Sequence, residues 1–129
     1  ILEKLFRNQR IDFLWTRVFY LYGDGEDSRK LVAVLRSKLS SGKAVELTSG
    51  NQIRDFMDVE LAGSIIADAA TSKNVGPFNV CSGIGISIRE LAEKIADEYG
   101  RRDLLLFGAR EDNLADSPHV VGIKSEIIK

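Results

Sequence analysis

The sequence predicts an α/β fold, and three observations carry that expectation. Short runs of β-branched and aromatic residues alternate with longer stretches whose apolar residues recur at helical spacing. The first run, Phe13-Leu14-Trp15-Thr16-Arg17-Val18-Phe19-Tyr20, is nearly all apolar without alternation, as in a parallel strand covered on both faces. Glycines stand where two of the helical stretches should stop, at Gly42 and Gly100.

The elements follow in order. Ile1, Leu2, Leu5 and Phe6 have the spacing of a helix already under way, and the chain opens without Met. Arg10–Tyr22 reads as the first strand, with Arg17 expected to be buried and tied to a carbonyl or an acid. Gly23-Asp24-Gly25 breaks it. Asp27 or Ser28 can then cap a helix in which Leu31, Val34, Leu35 and Leu39 share a face.

Ala44–Leu47 and Gln52–Phe56 are short strands around Thr48-Ser49-Gly50-Asn51, which suggests a hairpin or a tight reversal. Asp58 caps a helix with Val59, Ala62, Ile66 and Ala69 on one side, and a turn over Asn74–Pro77 leads to the strand Phe78–Cys81. Ser87 and Glu90 form a capping box, with Ile86 placed to staple onto Leu91, before a helix through Ile88, Ala92, Ile95 and Tyr99. Leu104–Phe107 reads as a last buried strand, followed by an irregular polar stretch over Gly108–Pro118. Ser125–Lys129 looks like the first turn of another helix, so both ends suggest a piece of a longer protein.

Composition excludes several classes. The 129 residues are 44% hydrophobic, with 18 basic and 19 acidic side chains and a formal charge of -1. That balance fits one globular domain rather than a disordered chain. It also argues against nucleic acid as a partner, because phosphate binding draws on a basic excess. No apolar stretch approaches the roughly twenty residues of a membrane helix, so no membrane partner is expected. The single cysteine, Cys81, cannot form an internal disulfide, which points to a reducing, cytoplasmic setting.

Gly23-Asp24-Gly25-Glu26-Asp27-Ser28 follows a strand and opens a helix, but Ser28 replaces the third glycine of a dinucleotide fingerprint, and Asp24 and Asp27 would face the pyrophosphate. A plain strand-to-helix turn is the better reading. Gly83-Ile84-Gly85 is a second near miss. Neither the lone His119 nor Cys81 has partners at metal-ligand spacing, and no nucleophile triad can be built from one histidine. Cys81 fits a small core residue. Arg54 and Arg110 are more informative. Each is either a solvated surface charge or a guanidinium placed to grip a carboxylate or phosphate.

In sequence order, five segments resemble the C-terminal half of an extended short-chain dehydrogenase/reductase of the NAD-dependent nucleotide-sugar epimerase/dehydratase family. They are Arg17–Gly25, Gly50–Val59, Phe78–Gly83, Ser87–Ala92 and Arg110–Asn113. The resemblance implies the end of a Rossmann-type NAD(P)-binding fold over residues 1–27, followed by a small mixed α/β substrate-binding domain over 28–129. It implies that Arg54 and Arg110 clamp the diphosphate of a nucleotide-sugar. By the same resemblance, Val45, Leu47 and Leu31 bracket the base, Tyr20 lies beside the sugar, and Asn113 contacts the ribose. Tyr20 and Asn113 depart from the family's usual Asn and Asp, and Leu61 stands where Asp is usual.

The family's Tyr-x-x-x-Lys pair is not found in this sequence: Asp24, Glu26 and Asp103 stand four residues after Tyr20, Tyr22 and Tyr99. The glycine-rich NAD loop is not found either, and the catalytic lysine is expected just before Ile1. The expectation is therefore a catalytically inactive fragment that carries no catalytic residue. Its NAD or NADP would belong to the full-length enzyme, and none is expected on these residues alone. Cell-surface polysaccharide synthesis is the implied setting. A homodimer or strand-swapped oligomer is expected, since the first strand would lack its sheet neighbours. The rival reading is a non-catalytic module that binds a nucleotide-sugar or another protein.

Overall fold

The computed structural model describes every residue except Arg10, where the expected first strand begins. Its helices are α1 (Leu2–Asn8), α2 (Leu31–Ser40), α3 (Val59–Ala70) and α4 (Ile88–Glu98). Its strands are β1 (Leu14–Val18), β2 (Tyr20–Tyr22), β3 (Val45–Leu47), β4 (Ile53–Arg54), β5 (Phe56–Asp58), β6 (Gly76–Val80), β7 (Ile86–Ser87), β8 (Leu105–Phe107) and β9 (His119–Val120). The class is α/β, and parallel pairing dominates. β1 pairs with β6, β2 with β5 and β3 with β8, all parallel, while β4 lies between antiparallel β7 and parallel β9.

Two apolar cores hold these pieces. In one, Val32, Leu35 and Leu39 of α2 meet Ala92, Ile95 and Ala96 of α4 over Val45, Leu47 and Leu105. In the other, Ala62 and Ala69 of α3 pack on Met57, Phe78 and Val80. Local chemistry sets the helix ends. The Asp58 carboxylate accepts from the Glu60 and Leu61 amides at 2.9 and 3.3 Å, starting α3. Ser87 and Glu90 satisfy each other's backbone N–H, each at 3.1 Å, starting α4. Gly42 and Gly100, at φ 66 and 63, take the left-handed turns that end α2 and α4.

Several expectations are corrected. The long first strand divides at Phe19, and its partners change from β6 to β5. It is not covered on both faces: Trp15 and Val18 are half exposed, and Arg17 is exposed rather than buried. Neither Asp27 nor Ser28 caps α2. Lys30 is its N-cap, and Asp27 instead grips Arg29 through both carboxylate oxygens. The chain does not fold back as a hairpin at Thr48–Asn51, because Gly50, at φ 75 and packed on Arg89, sends β4 to a different sheet from β3. β8 is not the last strand, since β9 follows it just after the polar stretch.

The final residues form no helix. The Ser125 hydroxyl accepts from the Asn79 amide at 2.9 Å, and the Asn79 and Asn74 side chains donate to the carbonyls of Ile123 and Glu126, each at 2.9 Å. These contacts lay the tail along β6. Pro77 within β6 has no N–H to offer on that side.

Candidate functional site

Where β4 passes into β5, two neighbouring charged residues are both buried: Arg54 is 4% and Asp55 0% exposed. A continuous strand would send them to opposite faces. Here Asp55 lies in the break between two short strands that belong to different sheets.

Asp55 is fully engaged. Its carboxylate accepts from the Ser82 amide (2.8 Å), the Ser82 hydroxyl (2.6 Å), the Gly83 amide (2.9 Å) and the Gly122 amide (3.1 Å). Burial alone would push its pKa up. The hydrogen bonds from Ser82, Gly122 and Gly83 outweigh that and hold it below the ordinary carboxylate value. Gly122 has no room for a side chain, since a Cβ would stand 2.5 Å from the Cys81 sulfur and 2.9 Å from Phe19. Cys81 is buried, and burial followed by the Asp55 charge pushes its thiol pKa up, which leaves it inert.

Arg54 is the opposite case. Among the described residues, its guanidinium donates one close hydrogen bond, from Nη1 to the Ile53 carbonyl at 2.9 Å. It lies 5.6 Å from the centre of the Tyr20 ring, and its Nη2 is 3.8 Å from the Asp116 carboxylate. Arg54 lines an open cavity of about 390 Å³ whose walls also include Tyr20, Leu31, Gln52, Phe56 and Asp116. A buried planar cation with most of its donors free is a seat for a bidentate anion such as a carboxylate or a phosphate.

The structure brings together three of the sequence-derived site residues, Arg54, Tyr20 and Leu31, on the wall of this cavity. Val45 and Leu47 are core residues of β3, so what they can offer a ligand is backbone rather than side chain. Arg110 is exposed and is not among the cavity's lining residues, but its amide donates to the Leu47 carbonyl at 3.0 Å. Asn113 is exposed too, and its side-chain oxygen accepts from the Ala115 amide at 3.1 Å. Sequence reasoning missed Gln52, Phe56 and Asp116. Phe56 could have been found from its place two residues after Arg54; Asp116, in an irregular stretch, carried no local signal.

The Gly23–Ser28 turn does not fit a dinucleotide. A Cβ at Gly23 would lie 2.6 Å from Val59, so that glycine is packed against α3 rather than opened toward a phosphate. The helix that follows starts only at Leu31. Among the described residues no cluster of three metal-ligating side chains occurs, and no helix is long and apolar enough to cross a membrane.

The sequence model of the NAD dependent epimerase/dehydratase family matches residues 1–81. This chain belongs to that family. A curated relative, the dTDP-6-deoxy-L-talose 4-dehydrogenase (NAD(+)) of Aggregatibacter actinomycetemcomitans, is 28% identical over 90 residues, 69% of this chain and 33% of its own. The UDP-N-acetylglucosamine 4-epimerase of Methanobrevibacter ruminantium, solved with UDP-N-acetylmuramic acid, superposes with a TM-score of 0.85 at 22% identity, over 96% of this chain and 41% of that one. The UDP-glucose 4-epimerase of Thermotoga maritima, solved with UDP-glucose, gives 0.86 at 18% identity, with 96% and 41% covered. At those identities the two structures establish a shared fold. The chain spans about two fifths of the length of these solved relatives and one third of the curated one.

Proposed function

We propose that these residues form the nucleotide-sugar-binding part of an NAD-dependent epimerase/dehydratase and come from its C-terminal half. In this reading residues 1–27 complete a Rossmann-type sheet and residues 28–129 form the substrate domain. The catalytic pair and the NAD or NADP site are supplied by the rest of the enzyme. The observation that carries the reading is the buried, largely unpaired guanidinium of Arg54 facing an open cavity. Membership of the family supports a nucleotide-sugar as the ligand. Every relative named above acts on a nucleoside-diphosphate sugar, to judge from its own name.

Arg54 holds the diphosphate, Tyr20 lies beside the sugar, and Leu31 with the backbone of Val45 and Leu47 frames the base. Arg110 adds a second cation, and Asn113 meets the ribose. The work of these groups is positioning: they fix the sugar where the remainder of the enzyme transfers hydride and proton. In this reading the enzyme acts in the cytoplasm, in the synthesis of cell-surface polysaccharide, as a homodimer or strand-swapped oligomer.

Arg54→Ala in the full-length enzyme is expected to weaken UDP-glucose or dTDP-glucose binding by about 10- to 100-fold, the worth of hydrogen bonds to a charged group. NAD binding should not change. Calorimetry with both ligands reads the two effects. Unaltered sugar-nucleotide affinity would remove the assignment.

A further inference from the structure

We propose that Asp116 is an internal counter-ion of Arg54, holding the place of a phosphate on that guanidinium until a diphosphate displaces it. The inference rests on the reading of Arg54 as the diphosphate residue and adds what stands there when the ligand is away.

The two partners differ in how firmly they are held. The Arg54 side chain is 5% exposed and that of Asp116 is 56% exposed. Arg54 is held by the Ile53 carbonyl and flanked by the Tyr20 ring on the cavity wall. Asp116 rides on an outer strap. One end of the strap is pinned where the Asp112 carboxylate accepts from the Ser49 amide at 2.9 Å. The other is pinned where the Pro118 carbonyl accepts from the Ile53 amide at 2.9 Å. Between those pins the residues are exposed, and the turn is shaped from within by Asn113, whose backbone carbonyl accepts from the Asp116 amide at 3.1 Å.

The Asp116 carboxylate stands 3.8 Å from Arg54 Nη2 and 3.5 Å from Gln52 Nε2, in the range of charge attraction but too long for the short fork of a fitted arginine–carboxylate pair. A diphosphate brings more charge and more acceptor oxygens to the same donors. When it arrives, the partner that gives way is the exposed one. Turning the Asp116 side chain outward breaks none of the strap's pins.

Calorimetric titration of the full-length protein with UDP tests this, using Arg54→Ala, Asp116→Asn and the double variant. Removing the competing charge should tighten UDP about two- to fivefold, the range expected for a partly exposed ion pair. The gain should vanish when Arg54 is already Ala, because there is then no cation to release. An equal gain in both backgrounds would mean a general reduction of negative charge in the cavity and would overturn the proposal; so would no gain on the native background. Asp116→Ser serves as a second neutral variant on the same turn, and agreement between the two guards against a folding artefact. If Arg54→Ala leaves UDP affinity unchanged, the diphosphate assignment itself fails, an outcome distinct from failure of the counter-ion alone.

Discussion

The two apolar cores solve the same packing problem with different completeness. Around α2 and α4, each of the paired strands β3 and β8 turns a buried residue inward, and Leu35, Ala92 and Ala96 have no exposed surface. Around β1, β6 and α3, Phe78 and Val80 are buried, yet Trp15 and Val18 on the neighbouring strand are half exposed and α1 buries none of its residues. One region covers its own apolar surface; the other leaves an apolar face and a strand edge open. The difference teaches that the α2–α4 layer is closed by its own contacts, while the β1 side presents an uncovered apolar face and strand edge, the kind of surface that marks an interaction face.

The largest expected effect that would break this comparison falls in the closed core. Leu35→Ala removes a fully buried side chain between two helices and should cost about 2–5 kcal/mol of stability, read from urea unfolding followed by circular dichroism. A loss below 1 kcal/mol would show that this core is not the rigid one.

Asp55→Asn comes next. It keeps one acceptor oxygen, turns the other into an NH2 group that faces two of the four donors joining the β4–β5 break to Ser82, Gly83 and Gly122, removes the charge from the rest, and should cost about 3 kcal/mol. Because the folded carboxylate titrates below its ordinary value of 3.8, its contribution is complete above that pH and disappears as the pH falls through the folded value. The substitution should therefore flatten the acid limb of the stability–pH curve below about pH 4 and leave its neutral slope alone. An unchanged acid limb would refute the hydrogen-bonded carboxylate.

The smallest effect belongs to the open region. Trp15→Ser should change stability by less than about 1 kcal/mol, since that ring is already half exposed, while lowering self-association measured by sedimentation velocity. A large loss of stability with unchanged association would reverse the contrast between the two cores.

Much of the fold was legible because its signals are local. The capping box at Ser87 and Glu90, the Asp58 cap and the glycine stops at Gly42 and Gly100 depend on neighbours within a few residues, and the structure has them all. What escaped depends on distant partners. Whether β3 turns back onto β4 or pairs with β8 is decided by residues about sixty positions away, and no turn propensity encodes that. Arg17 lies in an apolar run and looked buried, but its exposure depends on what covers β1.

The candidate site divides the same way. Arg54 stood out as a cation interrupting an apolar strand. Asp116 could not, because its tie to Arg54 crosses 62 positions and leaves no periodic trace. The tail reads as helical from the composition of Ser125–Lys129, whereas Asn74 and Asn79 draw its backbone and Ser125 out along β6.

Pro77 and the tail together make the β1–β6 ribbon one-sided. The β6 margin is occupied by Ser125 and neighbouring carbonyls and lacks one N–H, so a newcomer finds free ladder positions only along β1. A ribbon that accepts a strand on a single side cannot be extended from both. Within this ribbon, among the described residues, the open margin is the five residues of β1.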